Sequence, residues 1–517
     1  MRALVVLALA ACDVSAPYPC SSSVQCTHGT TLGYCETTGF CSFDDASCDS
    51  QRRYDVSADA LSSACVEGIV TGHVRQRYVT NDEQFAPVVN ERGMPAATAM
   101  TAVTLADGAM PNVSYRETDG AFSFPDPDHL AYDLVVAGTH YQLSQPHVEL
   151  AERTAGRPER TAVTKSTPIR FQYTNNPAGN TVIASTGLWT QTTNGSQTSF
   201  TFDWKSATSS SGALGLLDAT QRDLMYLTKV EAQNGYSAIT GVGTASVTLA
   251  DGVMTVVPAA TLDTPLLDQC VHVVVPEVDT SMRLLAAVPR SYTAAVDWGI
   301  EAEPAIDALG RVGALDVVTG TAGALANIDR TVTLHDPFVG TTLVASTELR
   351  ATYTIPYSGT TGVSGINVIS VSAPFAQTGG CATDVATLAS TVGIAGPITV
   401  AGTPVTSDEQ MVTIDLTQRV PITWTAASAG TVHVHVVDLY ELSNSGSGPG
   451  AITTAIDEVE TTDPSYLLDP TLLAKGHTYL LYITELRGIP NAASGDLATF
   501  TFPVETSATW TRSFVVR

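Results

Sequence analysis

Six of the nine cysteines crowd into one short stretch: Cys20, Cys26, Cys35, Cys41, Cys48 and Cys65. The segment CSSSVQCTHGTTLGYCETTGFCSFDDASC has almost no apolar periodicity, so cross-links must hold what a hydrophobic core cannot. Three disulfides would each contribute about 2–4 kcal/mol by restricting the unfolded chain. Which of the fifteen pairings open to six cysteines is used does not follow from sequence. The spacings C-x5-C, C-x8-C, C-x5-C and C-x6-C lack the close C-x2-C pairs of structural zinc sites, which favours disulfides over metal. Cys270 and Cys381 stand alone in β-rich sequence and could join each other if they are neighbours in space. Cys12 is then left over.

Met1 and Arg2 are followed by ALVVLALAA, which reads as the apolar run and cleavage site of a secretory signal and is too short to span a bilayer. Leu9, Ala10, Ala11 and Cys12 resemble the bacterial lipobox. That resemblance implies that residues 1–11 are removed and that Cys12 is acylated, with palmitate among its chains. Several acyl chains would anchor the protein stably in a bilayer. The odd cysteine becomes the anchor, and eight remain for four bridges. The expected location is the cell envelope, as an outer-membrane lipoprotein facing the periplasm or the exterior. Asp13, which in some bacteria retains lipoproteins at the inner membrane, leaves the choice of membrane open. The run GYCETTGFCSFDDASCDSQRRY also resembles a small Cys-rich module that follows the anchor in uncharacterised bacterial surface lipoproteins, and no activity travels with it.

At 517 residues the chain has room for three to five folding units. Thr, Val, Ala, Gly and Ser dominate while Lys, Leu and Glu are sparse, a composition of strand and turn. Only 25 Lys and Arg face 51 Asp and Glu, and the net charge of −26 repels phosphate backbones, so nucleic acid is excluded as a partner.

The expected divisions are 1–11 signal, 12–67 lipidated linker and Cys-rich module, and β-sandwiches over 68–155, 156–288, 289–407 and 408–517. In the first, AMTAVTL, VSYRETDGAFSFPDPDH and AYDLVVAGTHYQL alternate as paired strands do. Thr118, Asp119, Gly120, Phe122 and Phe124 are similar to the turn and strand of transthyretin-like, carboxypeptidase-regulatory-like modules, which implies a non-catalytic sandwich. In the second, Asn194-Gly195 between alternating stretches predicts a type I′ hairpin, with Trp189, Phe200, Phe202 and Trp204 as an aromatic core face. In the last, RVPITWTAASAG and TVHVHVVDLYEL read as strands. Leu473, Gly476 and Tyr479 resemble the L-x-x-G-x-x-Y corner of fibronectin type III domains, with Trp424 on the second strand.

Chemistry is sparse. Neither a G-x-S-x-G elbow nor an H-E-x-x-H pair occurs, and disulfide-bonded cysteines cannot be nucleophiles. His433 and His435 could chelate a metal with Asp438 or Glu441, but the flanking Val432, Val434 and Val436 make an ordinary half-exposed strand the plainer reading. Asp126 and Asp128 read as turn formers rather than calcium ligands. No catalytic residue and no cofactor are expected.

The fold expectation is all-β: a small disulfide-rich N-terminal module followed by a string of Ig-like and fibronectin III-like β-sandwiches. The functional expectation is a non-catalytic cell-surface binding, adhesion or envelope-architecture protein, held to the bilayer through Cys12, with surface proteins or glycans as partners. The rival is a secreted or lipid-anchored, polysaccharide-directed hydrolase with accessory β-sandwich modules and a cleft hidden between 290 and 405. Oligomeric state is not legible.

Overall fold

The protein is described by a computed structural model covering residues 17–517 except 37, 127–130, 155, 173–179, 186–188, 194–198, 207, 210–211, 214, 259–268, 277–291, 304–314, 324–326, 335, 337–340, 376–384, 428–430 and 446–449. β-Strands account for nearly all of its regular structure, as the Thr- and Val-rich composition demands. No helix among the described residues is long and apolar enough to cross a membrane.

The N-terminal module is stapled by Cys20–Cys35, Cys26–Cys41 and Cys48–Cys65. Among the described residues its apolar core is Tyr54, Ala58 and Val66, joined by Ile69 of the next unit and flanked by Phe40 and Leu61, so the cross-links compensate for a core too small to fold it. Arg52 lies over the Tyr34 ring at 3.6 Å, pairs with Glu36 and donates to the Phe122 carbonyl, which docks the module on the first sandwich. Cys270 is also disulfide-bonded; its expected partner Cys381, like Cys12, lies outside the described residues.

In the first sandwich one sheet runs His147–Thr154, Ile69–Asn81, Ala121–Pro125, Ser114–Arg116, the first two parallel. Facing it are Ala102–Leu105, Tyr132–Val136 and Thr139–Leu143. Phe122 and Phe124 fill the core with Tyr132 and Leu134. The turn before them is closed by the Ala121 N–H donating to Asp119. Gly120 takes φ +77°, and a Cβ there would come within 2.0 Å of the Val74 carbonyl.

The second sandwich sets Pro168–Gln172, Ser199–Asp203 and Thr255–Val256 against Trp189–Thr193, Asn180–Ser185, Met225–Ala232 and Ser237–Ala245. Phe200, Phe202 and Trp204 pack on its core, where Trp204 is fully buried. Of the described strands on either side of Asn194-Gly195, Trp189–Thr193 pairs with Asn180–Ser185, and Ser199–Asp203 with Pro168–Gln172 in the opposite sheet. Phe200 stacks on Phe171 with ring centroids 6.1 Å apart. Asn194 and Gly195 themselves lie outside the described residues.

Gln269–Val275, which lies before the expected division at 289, pairs with Ile328–Leu334 and Val385–Thr387 of the third sandwich. Ile398–Val400, which lies before the expected division at 408, pairs with Val420–Trp424 of the fourth sandwich. Gln269–Val275 alternates in burial along its seven residues, while Ile398–Val400 is only three residues long. The fourth sandwich has the expected corner: Leu473 and Tyr479 are buried, and the Tyr479 hydroxyl accepts from the Ala474 N–H at 2.9 Å.

The sandwiches share a sheet. Ser237 and Ala238 of the second pair with Thr319 and Val318 of the third, within Leu315–Gly323. Val363–Pro374 of the third pairs with Val504–Trp510 of the fourth. Ala451–Thr461 of the fourth runs parallel to Thr139–Leu143 of the first. The order in space is therefore second, third, fourth, first. At the last junction Val434, Ile489, Ala492 and Leu497 enter the core of the first sandwich. Arg419 pairs with Asp133 there, and Arg153 donates to the Leu497 and Ala498 carbonyls at 3.1 and 2.8 Å. The first sandwich also reaches back to the second through Asn81, which donates to the Arg222 carbonyl, and to the third through Phe85, which packs on its core.

Candidate functional site

The parallel register of Ile69–Asn81 and His147–Thr154 puts Thr71 beside His147 and His73 beside Glu149. Side chains two apart on a strand share a face, so these four project together, while Val70, Val74, Val148 and Leu150 point into the core. The Cys-rich module covers one end of the group, where the Thr71 hydroxyl donates to the Ser50 carbonyl at 2.6 Å. His73 Nδ1 lies 2.7 Å and His147 Nε2 2.9 Å from the same oxygen, Glu149 Oε1. Burial would raise the Glu149 carboxyl, but the hydrogen bonds from His147 and His73, with the charges of His73 and Arg75, hold it down at about 2. It is thus a permanent anion held between two imidazoles.

A second feature is a trough of about 650 Å³ on the third sandwich, walled by the turn through Gln233 and Tyr236. Its floor carries Asp297, Glu301, Glu348 and Arg350. Cross-strand pairing sets Asp297 beside Glu348, and Arg350 pairs with both. Ser346 donates to Glu301 at 2.8 Å. These acids are held by neighbours within the sheet, and the trough offers a polar surface of hydroxyls and charges.

The histidines singled out by sequence do not converge. His433 precedes its strand, and its Nδ1 accepts from the Gly488 and Ile489 N–H groups at 3.2 and 3.0 Å. His435 Nδ1 accepts from the Trp424 indole at 3.4 Å. The strand is not half-exposed at this point: Val434 faces the first sandwich's core, while His435 is buried against Trp424 of the fourth. Asp438 instead sits opposite Glu458, and Glu441 pairs with His477. Asp126 is buried at the end of its strand, with its N–H donating to the Gly68 carbonyl, and Asp128 lies outside the described residues. Sequence reasoning missed His73, His147 and Glu149. Their only local signal is the alternation in VTGHV and PHVEL, which becomes a constellation once the two strands are known to pair in parallel.

The fourth sandwich carries unusual acids. Burial pushes Asp438, Glu460 and Glu485 each up to about 7, with Glu458 adding to Asp438. Burial pushes His435 down to about 4, so between about pH 4 and pH 7 its 3.6 Å contact with Glu485 joins two largely neutral groups rather than ions. Burial would lower His140, yet its hydrogen bonds to Asp133 and Asp457 raise it to about 9. The folded state therefore holds extra protons on three carboxyls between about pH 4 and pH 7 and on His140 from about 6.5 to 9, against fewer on His435 and His433, both lowered by burial, below 6.5. Stability falls as pH rises across these windows. Calorimetry should show a melting temperature lower by about 5 °C or more at pH 8 than at pH 5, and Glu485→Gln should flatten the slope. A melting temperature that rises over this range contradicts the assignment.

No family model matches the chain, and no curated protein matches it. Among solved structures, similarity is found to one described as a tetra-tandem repeat in the extending region of a large adhesion protein, at 12% identity over 85% of this chain and 99% of that one. The TM-score is 0.12, too slight an overlap to carry an argument about fold or role.

Proposed function

We propose that this is an exported, lipid-anchored envelope protein whose linked sandwiches serve binding, adhesion or envelope architecture rather than catalysis, with surface proteins or glycans as partners. The observation that carries the reading is the cysteine accounting: the six clustered cysteines and Cys270 are all disulfide-bonded, a state that persists outside the reducing cytosol. That leaves Cys12 as the one cysteine free for acylation on the expected pairing of Cys270 with Cys381. The sandwiches supply packed cores and a broad outer surface, and the polar trough over Asp297, Glu301 and Glu348 suits hydroxyl-rich ligands.

The same three carboxylates are the one feature that favours the hydrolase reading. Against it, Arg350 and Ser346 occupy them. The deciding experiment is the intact mass and thiol count of protein purified from its native membrane, beside Cys12→Ser. Acyl mass that disappears with Cys12, and no free thiol, is the expected result. Absence of acyl mass in the parent, or several titrating thiols, overturns the reading.

A further inference from the structure

We propose that His73, His147 and Glu149 form a binding site for a first-row divalent cation, zinc in the first instance. The three ligand atoms lie within 4.8 Å of one another, and two imidazoles with one carboxylate make a donor set that suits zinc and leaves a coordination position open. Hard cations such as calcium and magnesium prefer all-oxygen shells and are disfavoured here.

Proton bookkeeping at Thr71 strengthens the case. A hydroxyl has one proton, and Thr71 gives it to the Ser50 carbonyl, which can only accept. The 2.9 Å contact between Thr71 Oγ1 and His147 Nδ1 then requires that Nδ1 carries hydrogen. In the neutral ring that leaves His147 Nε2 as a bare lone pair, aimed at a carboxylate oxygen 2.9 Å away. Two acceptors do not hold such a distance unless a positive bridge lies between them: a second ring proton or a metal ion. His73 Nδ1 reaches the same oxygen from the other side. Thr71 thus acts as the outer-shell partner that fixes the tautomer of a metal-bound histidine and orients its ring. The group is partly open to solvent, with side-chain exposures of 15% for His73, 9% for His147 and 21% for Glu149, so an ion has a path in. Arg75 lies 3.8 Å from the other carboxylate oxygen, Oε2, and leaves Oε1 to the histidines.

Bound there, the cation would clamp the two parallel strands. Glu149 is also the residue whose backbone N–H and carbonyl bond to Gly495 and Leu497 of the fourth sandwich, so the clamp sits at the junction of first and last sandwiches.

The test is a calorimetric zinc titration of the full chain, untagged, chelator-stripped and with its disulfides intact. One equivalent should bind saturably, unaffected by excess magnesium or calcium, and raise the melting temperature. His73→Asn and Glu149→Gln should each weaken zinc binding at least 100-fold, and Thr71→Val about tenfold. A variant that melts like the parent yet binds zinc with the parent's affinity overturns the proposal, as does a parent that binds no zinc. Should the variants unfold, X-ray absorption of the zinc-loaded parent decides: two imidazoles in the shell support the site, and a shell without imidazole rejects it.

Discussion

Asp223→Ala should be the most damaging single substitution in the second sandwich, costing about 3–5 kcal/mol. Asp223 is 4% exposed and receives Arg157 Nη2 at 2.6 Å, Arg160 Nη2 at 2.9 Å and the Asp218 N–H at 2.9 Å. Burial would raise its carboxyl, but the two guanidiniums hold it below the usual range. Both arginines are themselves largely buried, so truncation strands two cations in a poorly solvated place. Urea denaturation should show a loss of stability for this sandwich, which among the described residues joins the common sheet at Ser237 and Ala238 and shares core residues Leu224, Tyr226 and Ile239 with the third. A loss below about 1 kcal/mol would show that water or rearrangement satisfies the arginines.

Gly495→Ala tests the junction of first and last sandwiches, with an expected cost of about 2–4 kcal/mol. The residue has φ +93°, and a Cβ would lie 1.9 Å from the His147 carbonyl, a backbone atom that cannot swing aside. Its own carbonyl accepts from the Glu149 N–H at 2.9 Å, so the methyl group must push apart the contact its backbone makes. Thermal melting should report the loss, and limited proteolysis should cut near 488–500 more readily in the variant. A parent-like melt would mean the junction tolerates a shift of at least an ångström.

What the sequence made legible follows from which interactions are local. The Thr118–Phe124 turn and strand, the Leu473–Tyr479 corner and the disulfide-rich start announce themselves because their partners lie a few residues away or because cysteine admits few alternatives. The Asn194-Gly195 turn lies outside the described residues, while Phe200 and Phe202, legible as an aromatic face, pack partly buried on the core. The spacing of His433 and His435 allows a shared face, with an ordinary strand as the plainer reading, and the Nδ1 atom of each accepts a hydrogen bond, from Gly488 and Ile489 and from Trp424 respectively. The His73–His147–Glu149 group was hidden because its members come together only through a pairing between strands 76 residues apart, as in the His73–Glu149 contact. Val434 reads as one more alternating valine, and nothing nearby tells that its face is covered by another sandwich.

The pairing of first sandwich with last also sets a timetable for folding. Arg153 bonds to a carbonyl 344 residues further on, and Gln142 to one 325 residues on. A ribosome makes the first sandwich long before its neighbour exists, at about 5–20 residues per second. During that interval the Thr139–Leu143 edge and the apolar face destined for Val434 and Ile489 have no cover, and an open strand edge is a template for mispairing. Contacts of such sequence separation also close slowly. The chain therefore has a built-in waiting period in which its earliest domain is most exposed to aggregation, and refolding yield should depend on protein concentration more steeply than for a chain whose sandwiches are completed one by one.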